Sequence, residues 1–320
     1  MLPVVLLAAG FALLLIGGES LVRGSVGAAR RLGVSPLVIG VTLVGFGTST
    51  PELLTSVQAA LAGSPGIAVG NVVGSNIANI LLILGVAAVL QPIACHPAAF
   101  YRDGSVLAAS AVLVAGIALA GSIGRVAGGV LVTLLVAYIV YTYWAERRRP
   151  EAPPAARHAR EAEVAEPPPG PLWRNLLFAV GGIALTVLGA RLLVDGAIQL
   201  AREAGISEAV IGLTVVAVGT SLPELVTSIV AAVKREGDVA FGNVVGSNIY
   251  NVLGILGVTA LVRPLAVPPE ILVFDLWVML GVTALLIVFA VSGWRLVRWE
   301  GAVFLAGYAA YIGVLGGTAI

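Results

Sequence analysis

Residues Gly33 to Pro92 recur without a gap 172 positions later as Gly205 to Pro264, and 34 of the 60 aligned positions are identical. Shared apolar composition would repeat Leu, Val and Ala. It would not repeat Thr48, Ser49, Glu52, Thr55, Ser56, Asn71, Ser75, Asn76 and Asn79 as Thr220, Ser221, Glu224, Thr227, Ser228, Asn243, Ser247, Asn248 and Asn251. The chain is therefore two related halves, 1–146 and 172–320, joined by a linker at 147–171 rich in Arg, Glu, Ala and Pro. That linker has no apolar periodicity and reads as solvated and disordered.

The solvent of each half follows from its apolar content. At 59% hydrophobic and 11% charged, with a mean hydropathy of +1.03, the chain holds more apolar surface than a globular core can hide, and belongs in a bilayer. Ten stretches of roughly 20 residues or more suit membrane crossing, near 2–22, 35–62, 66–91, 97–120, 124–146, 172–203, 206–234, 238–263, 268–292 and 295–318. The first lacks the positive flank of a signal peptide and reads as a span. Five spans per half, an odd number, reverse the second half, which predicts an all-α polytopic protein of two inverted five-helix repeats.

Charge agrees with this layout. With the amino terminus outside, 14 of the 18 Lys and Arg fall on the cytoplasmic side, and Arg125, Arg191, Arg202 and Arg263 are the exceptions. Both termini then lie outside and the linker is cytoplasmic. Arg23 and Arg191 each have an acidic residue four positions away, Glu19 and Asp195, and read as self-neutralising helical pairs. One cysteine and two histidines exclude a disulfide framework and a Cys/His metal cluster. The near-neutral charge gives no sign of nucleic-acid binding. No nucleophile–base set or nucleotide loop marks an enzyme.

The chemistry sits in GTSTPE (Gly47 to Glu52) and GTSLPE (Gly219 to Glu224). Glu52 and Glu224 lie near mid-span, where an ionised carboxylate costs several kcal/mol unless it meets water or a cation. Pro51 and Pro223 remove a backbone donor, and with Gly47 and Gly219 they predict a broken helix whose freed carbonyls coordinate ions. Thr48, Ser49, Thr220 and Ser221 surround the break. The partner motif GNVVGSN adds Ser75, Asn76 and Asn79, then Ser247, Asn248 and Asn251, with Ser75/Asn79 and Ser247/Asn251 each on one helical face. Asn71 and Asn243 are weighed between ligation and structural hydrogen bonding. Every donor is oxygen, which points to hard cations. Two carboxylates balance one Ca²⁺, two Na⁺ or two protons, so the loads are mutually exclusive, as antiport needs. Two antiparallel repeats fit that better than a passive channel.

At these motifs the sequence resembles the calcium/cation antiporter superfamily, specifically its prokaryotic sodium/calcium exchanger branch. The resemblance implies a diamond-shaped central site, with the long first and sixth spans sliding against the core. It implies ion ligation by Thr48, Ser49, Glu52, Ser75 and Asn79 from one repeat and Thr220, Ser221, Glu224, Ser247 and Asn251 from the other, completed by the carbonyls of Gly45 and Ala217. It also implies Ca²⁺ and Na⁺ as transported ions, with H⁺ or K⁺ as alternative counter-ions, and no cofactor. The expected partners are those cations and the lipid bilayer, with no obligate protein, in a prokaryotic plasma (inner) membrane. Relatives often carry Asp where this chain has Asn251, so the site here has two carboxylates rather than three.

Overall fold

A computed structural model describes residues 2–34, 36–147, 170–203, 219 and 221–318. Helix α1 runs Leu2–Leu32. The next stretch is α2 (Pro36–Ile39), a π-helical turn at Gly40–Val44, α3 (Gly45–Thr48) and α4 (Thr50–Leu61). Helix α5 (Pro65–Ala78) continues through a π-helical turn at Asn79–Leu84 into α6 (Gly85–Leu90). Helices α7 (Pro97–Ala118) and α8 (Arg125–Arg147) follow. After the linker come α9 (Leu172–Glu203), α10 (Leu222–Val233) and α11 (Gly237–Ile249). A π-helical turn at Tyr250–Ile255 leads from α11 into α12 (Leu256–Val262), and another at Ile271–Asp275 leads into α13 (Leu276–Gly293). Helix α14 is Arg298–Thr318.

Seven helices among the described residues are long and apolar enough to cross a membrane. Two of them are central: 72% of the apolar window in Pro65–Leu90 and 83% of that in Gly237–Val262 is buried, against 28% to 44% in the other five. These are the two spans that carry the GNVVGSN motifs. The outer helices present Val126, Val273, Trp173 and Leu177 outward, surface that an aqueous protein would hide and a bilayer accepts. The chain is an integral membrane protein. Residues 148–169 of the linker and much of the predicted seventh span, including Ala217 and Thr220, lie outside the described residues.

Two observations fix the relation of the halves. Helices α1 and α9, counterparts in the repeat, pack side by side along their whole lengths through glycines. A methyl at Gly24 would strike the Ala179 backbone, one at Gly17 the Thr186 backbone, one at Gly189 Leu14, and one at Gly196 Pro3 and Leu7. As the number rises on one helix it falls on the other, so the counterparts are antiparallel. The second observation is in the turns. Ile93 and Ala94 pair with Leu296 and Arg295, while Ser122 and Ile123 pair with Ala266 and Leu265. The turn before α7 thus lies beside the turn before α14, and the turn after α7 beside the turn that follows α12. Counterpart turns fall on opposite ends of α7, the arrangement an inverted repeat requires.

Three expectations change. Helix α1 extends ten residues beyond the predicted end at 22, because no breaker occurs before Gly33, whose φ of +67° closes it. The Glu19–Arg23 pair does not form: Glu19 Oε1 accepts from Lys234 Nζ at 2.6 Å, and the Arg23 guanidinium lies 5.5 Å from the Phe178 ring centre, since packing against other helices outweighs a weak same-helix pair. Two exceptions to the charge bias also find a local reason. Arg125 donates to the Leu261 carbonyl, and Arg263 to those of Ala60 and Leu61, so each places its positive charge on carbonyls at a helix's C-terminal end.

Candidate functional site

The predicted helix break is narrower than the motif suggested. Ser49 alone leaves helical geometry, at φ −82° and ψ 11°, between α3 and α4. Ser221 adopts nearly the same conformation, φ −90° and ψ 7°, before α10. Hydrogen bonds bridge the lapse, from Ser49 N to the Gly45 carbonyl and from Leu53 N to that of Ser49. In the first repeat the helix is pinched rather than unwound, because Pro51 removes one donor and its φ near −65° suits a helix's first turn. The larger departure lies just upstream, in the π-helical turn at Gly40–Val44.

Glu52 and Glu224 therefore sit in the first turn of short helices, where N-terminal peptide dipoles favour an anion. Both are 1% exposed. Their partners come from the opposite half: Ser49 Oγ donates to Glu224 Oε1 at 2.7 Å, and Ser221 Oγ to Glu52 Oε1 at 3.4 Å. The backbone behind each Glu is held by an asparagine of the neighbouring span. Asn71 Nδ2 donates to the Glu52 carbonyl and Ser56 Oγ, and Asn243 Nδ2 to the Glu224 carbonyl and Ser228 Oγ.

The central spans supply the other wall. Asn79 opens one π-helical turn and Asn251 lies in its counterpart, and such turns interrupt the regular hydrogen-bond ladder, often at functional sites. Across the two halves, Asn79 Nδ2 donates to Asn248 Oδ1 at 2.9 Å and Asn251 Nδ2 to Asn76 Oδ1 at 3.0 Å. Adding 172 to Asn79 and subtracting 172 from Asn248 turns one pair into the other, the exchange that a two-fold relation makes. Ser247 Oγ donates to the Gly45 carbonyl at 3.2 Å, and Thr48 Oγ1 lies 3.2 Å from Asn243 Oδ1. Ser75 is buried one turn before Asn79. The structure thus gathers Gly45, Thr48, Ser49, Glu52, Asn79, Ser221, Glu224, Ser247 and Asn251 through contacts between halves, while Thr220 and Ala217 fall outside the described residues.

Four buried oxygens in this cluster lack a hydrogen-bond partner among the described residues: Glu52 Oε2, Glu224 Oε2, Asn79 Oδ1 and Asn251 Oδ1. Buried polar atoms are nearly always paired, so four orphan oxygens in symmetric pairs, two carboxylate and two amide, set this cluster apart from ordinary packing. Sequence reasoning missed the π-helical turns and the clamping role of Asn71 and Asn243. The asparagines were visible as repeated polar residues, but which atoms they engage is a tertiary fact.

The same architecture is found in known proteins. The chain is 36% identical over 336 residues to the sodium/calcium exchanger MaX1 of Methanosarcina acetivorans, covering 96% of each chain. It is 37% identical over 297 residues to the inner membrane protein YrbG of Escherichia coli, covering 92% of this chain and 90% of that one. The solved structure of the sodium-calcium exchanger NCX_Mj, soaked with zero Na⁺ and Ca²⁺, superposes with a TM-score of 0.85 at 34% identity, covering 98% of this chain and 99% of that one. The model of the family described as sodium/calcium exchanger protein matches twice, at residues 2–144 and 174–316, and with matches over nearly the whole length the chain belongs to the sodium/calcium exchanger family.

Proposed function

We propose that this protein is a secondary-active antiporter that exchanges Na⁺ for Ca²⁺ by alternating access, with the ions held between Glu52 and Glu224. The observation that carries the reading is the set of four unpartnered buried oxygens, two carboxylate and two amide, from opposite halves. Ca²⁺ takes six to eight oxygen ligands. The remaining positions are filled from Thr48, Ser49, Ser75, Ser221 and Ser247 and the Gly45 carbonyl, with Thr220 and the Ala217 carbonyl as their counterparts. The sodium/calcium names carried by its relatives support Na⁺ as the counter-ion.

The reading includes ten spans in two inverted five-helix units, 1–146 and 172–320, with both termini external and residues 147–171 cytoplasmic. Helices α1 and α9 form an antiparallel pair laid against the core and slide against it to expose the site to either side. No catalytic step, cofactor or protein partner is needed. Closure of the site empty would leave two bare carboxylates desolvated, so the transporter crosses loaded and exchange is obligatory.

The test is Ca²⁺ uptake by proteoliposomes under separately imposed Na⁺, K⁺ and H⁺ gradients. An outward Na⁺ gradient is expected to drive uptake. Uptake that is indifferent to Na⁺ and follows pH, or that requires K⁺, would replace Na⁺ as the counter-ion; uptake that never saturates or shows no counter-transport would replace antiport with a channel.

A further inference from the structure

Asn76 and Asn248 are not in the ligand set, yet both are buried at 2% exposure or less and face one another across the boundary between the halves. Asn76 Nδ2 donates to the Asn248 carbonyl at 3.4 Å, and Asn248 Nδ2 to the Asn76 carbonyl at 3.3 Å. Each amide nitrogen is thereby committed to backbone, and each amide oxygen is left to accept. Those oxygens receive Asn251 Nδ2 and Asn79 Nδ2 respectively.

An asparagine amide has one oxygen and one nitrogen, and fixing where the nitrogen points fixes the oxygen on the opposite side. Because Asn248 offers only an acceptor, Asn79 must present its nitrogen there, which turns Asn79 Oδ1 away as an unpaired acceptor. The same logic through Asn76 turns Asn251 Oδ1. Both are among the orphan oxygens. Without this arrangement an amide could rotate by half a turn and offer the cation an N–H donor, which repels it.

We propose that Asn76 and Asn248 form a reciprocal clasp between the halves that positions the amide oxygens of Asn79 and Asn251 for the cation. They are positioning residues, and the proposal rests on the reading of Asn79 and Asn251 as ion ligands. The clasp also gives the site its two-fold form: one pair of backbone-anchored amides sets both oxygens, so neither half builds its own ligand alone.

A double-variant cycle on Na⁺-driven Ca²⁺ uptake by the full chain tests it, with Tm of the purified protein measured alongside. Asn248→Ala is expected to raise the KM for Ca²⁺ about 10- to 100-fold, as loss of an outer-shell partner does, with kcat changed much less. In an Asn79→Ala background the same substitution should add nothing further, because its action runs through Asn79. Asn76→Ala should behave likewise with Asn251→Ala. Asn248→Asp, which keeps the acceptor for Asn79 but loses the donor to the Asn76 carbonyl, should raise KM less than Asn248→Ala does. Asn248→Ser, too short to reach the Asn79 amide, serves in the cycle if the alanine variant does not fold. An Asn248→Ala effect of equal size in the Asn79→Ala background overturns the clasp, as does a lowered Tm with unchanged KM. An Asn79→Ala variant with wild-type KM would instead overturn the ligand assignment itself, and the clasp with it.

Discussion

Replacing Glu224 by Gln removes one unit of charge from the site and almost nothing else. Gln is isosteric, and the 2.7 Å bond from Ser49 Oγ can persist to its amide oxygen, so the local packing is kept. What is lost is the attraction between a buried carboxylate and a divalent cation. Removing one partner from a buried, desolvated charge pair costs about 3–5 kcal/mol, which corresponds to a fall in Ca²⁺ affinity of about 100- to 4,000-fold. Glu52→Gln should cost the same within about tenfold, because the two carboxylates are equally buried and related by the two-fold arrangement, and differ mainly in the length of the serine bond each accepts. Two assays separate binding from transport. Na⁺-driven Ca²⁺ uptake by proteoliposomes should fall to background for both variants at Ca²⁺ concentrations that saturate the wild type. In detergent, Ca²⁺ at one hundred times its Kd should stabilise the wild type by about 2.7 kcal/mol, read as a rise in Tm, and that rise should vanish in the variants. Either variant keeping its apparent Ca²⁺ affinity within about threefold of wild type would refute the reasoning, since the two glutamates could not then hold the site's charge.

Other expectations follow from particular contacts. Ser49→Ala should weaken Ca²⁺ binding more than Ser221→Ala, because the first hydroxyl meets its carboxylate at 2.7 Å and the second at 3.4 Å; a hydrogen bond to a charged group is worth about 1.5–3 kcal/mol only at good geometry, and the KM values of the two variants decide it. Arg235 has a φ of 62° at the position where the first repeat has Gly63 at φ 86°, so Arg235→Gly should stabilise the protein by up to about 1–2 kcal/mol, seen as a higher Tm. Cys95 lies in the turn before α7, buried, and burial pushes its thiol up to about 12. The folded protein at pH 8 should therefore resist maleimide labelling and react fully once unfolded, whereas fast labelling of the native state would show that turn to be open.

The parts of the fold that the sequence made legible are those where a residue type is expensive in its setting. A glutamate at mid-span, repeated 172 positions away with the same Thr, Ser and Asn neighbours, has few explanations in a bilayer, and both glutamates do lie in one buried cluster. Odd span number gave the inversion, which α1 and α9 display as an antiparallel pair. What stayed hidden depends on relations across the chain. No pattern marks the π-helical turns at Asn79–Leu84 and Tyr250–Ile255, since one extra residue per turn alters no side-chain type. Arg125 and Arg263 read as exceptions to the charge bias because the helix ends whose carbonyls they reach come from the other half of the chain. Glu19 read as Arg23's partner because a sequence shows neighbours four apart and conceals Lys234.

The same distinction explains why the two halves, so alike in sequence, make their site by exchange rather than by addition. Each carboxylate receives its serine from the other half, and the amides of Asn79 and Asn251 each donate to an asparagine of the other half. A half folded alone would bury an unpaired carboxylate and an unanchored amide, at a cost of several kcal/mol in a bilayer. The site is therefore complete only when both repeats close on it, and strong identity between the motifs follows, because every polar residue must serve two geometrically equivalent environments. Gly246 illustrates the tolerance: its Cβ would run into the Val41 backbone, so even one methyl there would push α11 off the π-helical turn at Gly40–Val44 that leads into the first glutamate motif.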